Sequence, residues 1–298
     1  MKHTHKLADL AALFTVVIWG TTFISTKVLL RSFDPVEILF IRFVIGLCAL
    51  WIVCPRRVRH NSWQEEGLYA AAGLSGICLY YLLENIALTY TSASNVGIIV
   101  ATAPFFTAIL SSLFLHEDKP KASFFAGFGL ALAGIAMVSF GGSALEVNPF
   151  GDLLSLFAAI VWAVYSVLTR KISKLGEPVV LSTRRIFTWG ILFMIPAMFV
   201  MDFHPDVQAL FVPVNALNLL YLGAGASAAC FVTWNFSVNV LGALKTSVYI
   251  YLVPIVTVIA SVLVLHEQIT AWAALGIVLT LLGLILSEGT ERFKKTKV

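Results

Sequence analysis

Residues 85–117 read NIALTYTSASNVGIIVATAPFFTAILSSLFLHE, and residues 235–267 read NFSVNVLGALKTSVYIYLVPIVTVIASVLVLHE. Laid side by side they need no gap: Asn85 meets Asn235, Pro104 meets Pro254, Thr107 meets Thr257 and Ser111 meets Ser261. Both close on the same tripeptide, Leu115-His116-Glu117 and Leu265-His266-Glu267. The fronts of the two halves match as well, Asp9 with Asp152, Trp19 with Trp162, Pro35 with Pro178 and Arg42 with Arg185. One unit is written twice, with its helix-breaking and ionisable residues in the same places.

What that unit is made of follows from composition. The chain is 59% hydrophobic and 12% charged, about half the charge of an ordinary soluble domain. Apolar runs of bilayer-crossing length follow one another at roughly 7–28, 35–54, 66–88, 94–115, 120–140, 150–171, 178–201, 214–237, 243–265 and 270–289. Backbone amides in hydrocarbon must be satisfied within their own segment, so these runs are expected to be helices. The expectation is an all-α integral membrane protein of ten transmembrane helices. Its halves are residues 7–140 and 150–289, with a basic tail over 290–298. Five spans per half is an odd number, so the second half must be inserted upside down, which makes an inverted repeat.

Charge gives the orientation. With the N-terminus in the cytoplasm, Lys2, Lys6, Arg56, Arg57, Arg59, Lys119, Lys121, Arg170, Lys171, Lys174, Lys245, Arg292, Lys294, Lys295 and Lys297 all fall on the inner side. Only Lys27 and Arg31 fall outside, which places both termini inside. The net charge of +4 is then inner-loop charge facing anionic lipid, and a nucleic-acid partner is excluded. Cys48, Cys54, Cys78 and Cys230 show no paired or metal-ligand spacing, so neither a disulfide framework nor a metal site is expected. The first span lacks a following small-residue cleavage site and repeats in the second half, so it reads as structural rather than as a signal peptide. No nucleophile elbow, Walker sequence or other catalytic set is present. The chain is therefore not expected to be an enzyme, to hold a cofactor or to use ATP.

The sequence Trp19-Gly20-Thr21-Thr22-Phe23 in the first span, and Ala87-Leu88-Thr89-Tyr90-Thr91-Ser92-Ala93 followed by Pro104 and Leu115-His116-Glu117, resemble the drug/metabolite transporter superfamily, EamA-like branch. The resemblance runs over nearly the whole chain and occurs in both halves. It implies export of amino acids or other small metabolites without a cofactor or soluble partner.

Among candidate contact residues Glu84 stands first. A carboxyl group at membrane depth faces a cavity or a partner, and burial favours its neutral form, so it could bind a substrate ammonium or a coupling proton. A solvated boundary position and an inter-helix ion pair are the bland alternatives. Arg42 and Arg185 each follow a helix-opening proline; each is either a clamp for a carboxylate or phosphate or a structural bridge. Arg184, beside Arg185, must point elsewhere and is expected in water or headgroups. Trp19 and Trp162 sit on polar stripes with Thr15, Thr22, Thr26, Ser155, Ser166 and Thr169; the indoles suit a solute pathway, the hydroxyls suit helix packing. Asn85 and Asn235 put amides into spans three and eight, and Trp234 stands where Glu84 does in the first half.

Pro104 and Pro254 are expected mid-helix, each freeing the carbonyl four residues earlier, as a hinge or as a static kink. The pairs Gly127/Gly134 and Gly276/Gly283 suit tight packing or a homodimer seam. His116 and His266 read as capping residues at helix ends. The residues together lead to a secondary transporter of a small polar metabolite working by alternating access in the cell membrane, with Trp19, Glu84, Asn85, Trp162, Arg185, Trp234 and Asn235 as contacts. Proton coupling is possible. The alternatives are efflux of cationic lipophilic drugs, or a membrane scaffold or receptor that transports nothing.

Overall fold

The structure, a computed structural model, describes residues 2–56, 62–91, 93–115, 120–140, 148–201, 203–265 and 271–292. Arg57, Arg59, His116, Glu117, Lys119, His266, Glu267 and tail residues 293–298 lie outside these segments. The described elements are helical: α1 (Lys2–Leu29), α2 (Pro35–Val53), α3 (Trp63–Tyr90), α4 (Ala93–Val100), α5 (Ala103–Phe114), α6 (Ala122–Phe140), α7 (Pro149–Ser173), α8 (Val179–Val200), α9 (Pro213–Leu241), α10 (residues 243–265) and α11 (Ala271–Arg292). Of these, α1, α2, α3, α7, α8 and α9 are long and apolar enough to cross a membrane, while α5, α6, α10 and α11 hold shorter apolar stretches. Large apolar side chains such as Leu10, Ile52, Phe199 and Ile285 point outward, as a surface solvated by hydrocarbon requires.

Helix starts are set locally. Pro35 occupies the first turn of α2, and Asp34 and Glu37 close a capping box, the Asp34 amide donating to Glu37 Oε2 at 2.8 Å. Pro149 opens α7 in the same way behind Asn148, whose side chain accepts from the Phe150 and Gly151 amides. Proline is tolerated there because its missing N–H would have had no intrahelical partner.

The two prolines expected in mid-helix do something different. Instead of kinking one rod, Pro104 lies in the first turn of α5, because the chain breaks at Ala101–Thr102. Thr102 stabilises the break, donating through its backbone amide and its hydroxyl to the Ile99 carbonyl. Around Pro254 the helix stays continuous but tightens to a 3-10 turn over Val248–Leu252. Both outcomes absorb the hydrogen bond that proline cannot make. A second pair of distortions has no proline behind it: α3 widens into a π turn over Leu74–Leu79, and α9 does so over Tyr221–Ala229.

Packing follows the repeat. Helix α1 lies along α9 and α10, as α7 lies along α3, α4 and α5; α2 meets α9 as α8 meets α3; α6 pairs with α11, and α2 with α8. Exchanging the halves maps the earlier of these contacts onto one another, and α6–α11 and α2–α8 onto themselves. Glycines let the backbones approach. A Cβ on Gly73 would stand 2.6 Å from the Gly190 nitrogen, and one on Gly223 would meet the Ile45 Cβ at 2.6 Å. On α6, a Cβ on Gly127 would lie 2.6 Å from the Gly283 carbonyl and one on Gly134 2.5 Å from the Gly276 carbonyl. The glycine faces that could have formed a dimer seam are therefore used inside one chain. Gly134→Val is expected to destabilise the protein by about 2 kcal/mol through overpacking against a backbone that cannot retreat. Thermal unfolding in detergent measures this, and an unchanged midpoint would show that the helices part freely.

Candidate functional site

Rings from both halves meet at the centre. Trp19 on α1 packs edge-on against Trp162 on α7, with ring centroids 5.2 Å apart, and lies 5.0 Å from Trp234 on α9. Tyr80 on α3 approaches Trp162 at 4.8 Å and Tyr81 at 4.7 Å. Phe231 sits behind them, touching Trp19, Trp162, Tyr81 and Phe187. The indole N–H of Trp19 donates to the Ala226 carbonyl at 3.0 Å, inside the π turn of α9. Such a turn interrupts the ordinary ladder, so its carbonyls are available to outside donors. The indole nitrogens of Trp162 and Trp234 are buried and have no partner.

Beside this cluster lies a cavity walled by Trp19, Thr22, Phe23, Tyr80, Tyr81, Glu84, Gly97, Val100, Trp162, Ile250 and Val253. It holds about 30 Å³, room for two or three waters when each needs about 10–15 Å³. A site for a small organic molecule spans roughly 300–1,000 Å³, so this conformation is closed. Glu84 is 3% exposed, and the Tyr80 hydroxyl, one turn earlier on α3, lies within hydrogen-bonding reach of its carboxyl.

The repeat-related arginines have different fates. Arg185 is paired with Glu66 on α3: Nε donates at 2.9 Å, a second guanidinium nitrogen closes a salt bridge, and the Trp189 indole donates to the other carboxylate oxygen at 2.9 Å. The guanidinium also lies over the Tyr69 ring, 4.4 Å from its centroid. Arg185 thus ties α8 to α3 away from the cavity, and the bridge joins the halves rather than lying within one. Arg42 is fully buried, donates from Nε to Ser227 Oγ at 3.1 Å, and leaves both terminal nitrogens unpartnered. Arg184, expected in water, is 2% exposed and donates to the carbonyls of Cys54 and Arg56 just past the end of α2. Carbonyls at a helix C-terminus have no intrahelical donors, and a cation satisfies both them and the dipole.

Of the expected contact residues, Trp19, Glu84 and Trp162 line the cavity, and Trp234 packs against the two indoles from behind. Asn85, Asn235 and Arg185 do not line it. Asn85 donates to the Pro35 carbonyl at 3.1 Å, tying α3 to the start of α2. Asn235 accepts from the Tyr165 hydroxyl at 2.9 Å and donates to Thr183 at 3.1 Å, and it faces a separate, smaller void near Glu177. The hydroxyls of Ser155, Ser166 and Thr169 bond carbonyls of their own helix, and Thr15 reaches Thr233 on α9 at 2.7 Å. They serve packing.

The EamA-like transporter family model matches residues 6–140 and again 149–288. This chain belongs to the EamA-like transporter family. An uncharacterized transporter of Archaeoglobus fulgidus is 31% identical, over 97% of this chain and 98% of that protein. A probable terminal-alkyne amino-acid exporter of Streptantibioticus cattleyicolor is 28% identical, over 93% and 91%. A crystal structure at 19% identity superposes with a TM-score of 0.74, covering 98% of this chain and 99% of that one, and shows the same fold. EamA-like proteins are multi-pass membrane transporters of small molecules and are not enzymes.

For this EamA-like transporter, reading the sequence missed Tyr80 and Tyr81 as cavity residues, Phe231 as the ring packed behind them, and Glu66 as the acid of Arg185. Tyr80 lies four residues before Glu84, so helical spacing from Glu84 could have found it. Nothing local marks Glu66, because its partner comes 119 residues later.

Proposed function

We propose that this chain is a secondary transporter with ten membrane spans in two inverted halves, exporting a small polar metabolite, an amino acid or a close relative, by alternating access across the cell membrane with both termini in the cytoplasm. The observation that carries the reading is the buried Glu84 carboxylate in the wall of an aromatic cavity on which helices of both halves converge. An ammonium group fits such a wall twice over, by charge at Glu84 and by the ring faces of Trp and Tyr. The symmetric exchange of helix contacts between halves supports rocking of one half against the other. The break before Pro104 and the 3-10 turn before Pro254 flank the cavity at Val100, Ile250 and Val253, where a gate would act. The Streptantibioticus relative's name agrees with amino-acid export.

The test is counterflow in proteoliposomes with a panel of radiolabelled amino acids. Exchange of at least one supports the reading; exchange of none overturns it. The same walls suit a lipophilic cation, and competition by aromatic amines instead of zwitterions would favour that substrate. Glu84→Gln keeps the volume and removes the charge. It is expected to reduce exchange by tenfold or more, about the worth of one charged hydrogen bond, and to flatten its pH dependence if protons are coupled. Wild-type exchange by this variant across a pH series would remove Glu84 from the mechanism.

A further inference from the structure

We propose that Arg42 is the anchor for the carboxylate of a zwitterionic substrate, working with Glu84 as the anchor for its ammonium; this deepens the transport reading above and rests on it. The two repeat-related arginines diverge. Arg185 has its acid, Glu66. Carried across by the offset that aligns Asn85 with Asn235, the position of Glu66 falls on Ala216, so the first-half arginine has no such acid. An arginine cannot shed its proton. A guanidinium at zero exposure whose two terminal nitrogens have no hydrogen-bond acceptor, only the Phe43 and Tyr81 rings beside it, is costly to the fold unless something else fills the place.

Its surroundings say what would fill it. Ser227 holds Nε, which fixes the plane of the fork and leaves the two terminal nitrogens directed elsewhere. A carboxylate is the planar group that accepts from such a fork in bidentate fashion. Glu84 is the carboxylate that lines the neighbouring cavity, and among the described residues no salt bridge joins it to Arg42. The Tyr80 hydroxyl lies within reach of the Glu84 carboxyl. Between the two charges stands Tyr81. Its ring covers the guanidinium, 4.4 Å from Cζ, and the same side chain lines the cavity that Glu84 faces. Tyr81 thus stands against the guanidinium on one side and lines the cavity of Glu84 on the other. Displacing the ring as the cavity opens would place both in one compartment, opposite charges at its two ends. Loose association of Arg42 and Glu84 as counter-ions, with no substrate role, is the competing account.

Counterflow of phenylalanine against phenylalaninamide separates the accounts, since the amide keeps the ring and the ammonium and lacks the carboxylate. If the panel shows that another amino acid exchanges better, that acid and its amide replace them. Wild-type protein is expected to exchange the acid roughly 10–100-fold more effectively than the amide, the range for a charge-assisted hydrogen bond. Arg42→Gln should remove most of that preference by losing the acid while sparing the amide, and Arg42→Lys should retain part of it. Equal handling of acid and amide by the wild type overturns the proposal without reference to any variant. So does an unaltered acid-to-amide ratio in Arg42→Gln or Arg42→Lys with both rates lowered together, which is the counter-ion result. Failure of the broader transport reading is distinct: no amino acid would exchange at all.

Discussion

Glu66→Ala is expected to destabilise the folded protein by about 3 kcal/mol, the lower end of the range for breaking a buried ion pair. The lower end applies because Glu66 is 19% exposed and water can partly replace it. The cost comes less from the lost attraction than from what is left behind. Arg185 is 6% exposed and would keep its charge without the Glu66 carboxylate, and the Trp189 indole would lose its bond to Glu66. Glu66→Ala combined with Arg185→Met should therefore cost less than the sum of the two single changes, and unfolding midpoints of the four proteins measure the coupling. Additive effects would mean that the Glu66–Arg185 pair contributes no coupling between α3 and α8. Arg42→Met should behave in the opposite sense and be neutral or stabilising, because it removes a buried charge with two unpartnered nitrogens. A residue whose removal improves the fold is retained for something other than the fold.

That contrast marks where sequence reasoning stops. The duplication was legible because prolines, asparagines and tryptophans recur at fixed offsets, and the helical, membrane-embedded character because charge is scarce along apolar runs. Glu84 and the paired indoles were legible because a lone carboxyl or a polar stripe in such a run has few uses. Arg42 and Arg185 could not be told apart, since both follow a proline by seven residues and the acid that distinguishes them is on another helix. The break at Ala101–Thr102 was read as a kink because a proline's effect is local but the choice between bending and ending a helix depends on what packs around it. The π turns at Leu74–Leu79 and Tyr221–Ala229 leave no composition signal beyond the glycines near them.

Those glycines set up the second large effect. At several contacts between helices of different halves the facing glycines have no space: a Cβ on Gly20 would lie 2.6 Å from the Val256 Cβ, and one on Gly76 would enter the Tyr165 ring at 2.1 Å. Gly97 on α4 is different. A Cβ there would meet only Phe23 Cε2, at 3.8 Å, an ordinary contact, and the residue lines the cavity with Glu84. Helix α4 also ends at the break before Pro104, so it is joined to α5 by a turn and not by a continuous rod. The tight glycines belong to contacts that must hold while the protein works, and Gly97 belongs to a wall next to space that a solute must enter. Gly97→Leu is accordingly expected to abolish exchange, because the side chain fills a void of about 30 Å³, while the protein remains folded with a near-unchanged melting point. Gly97→Ala should retain most exchange. Loss of folding in Gly97→Leu would mean that this wall is packed as tightly as the other glycine contacts, and full exchange by the folded variant would mean that the void beside Glu84 is not on the solute's route.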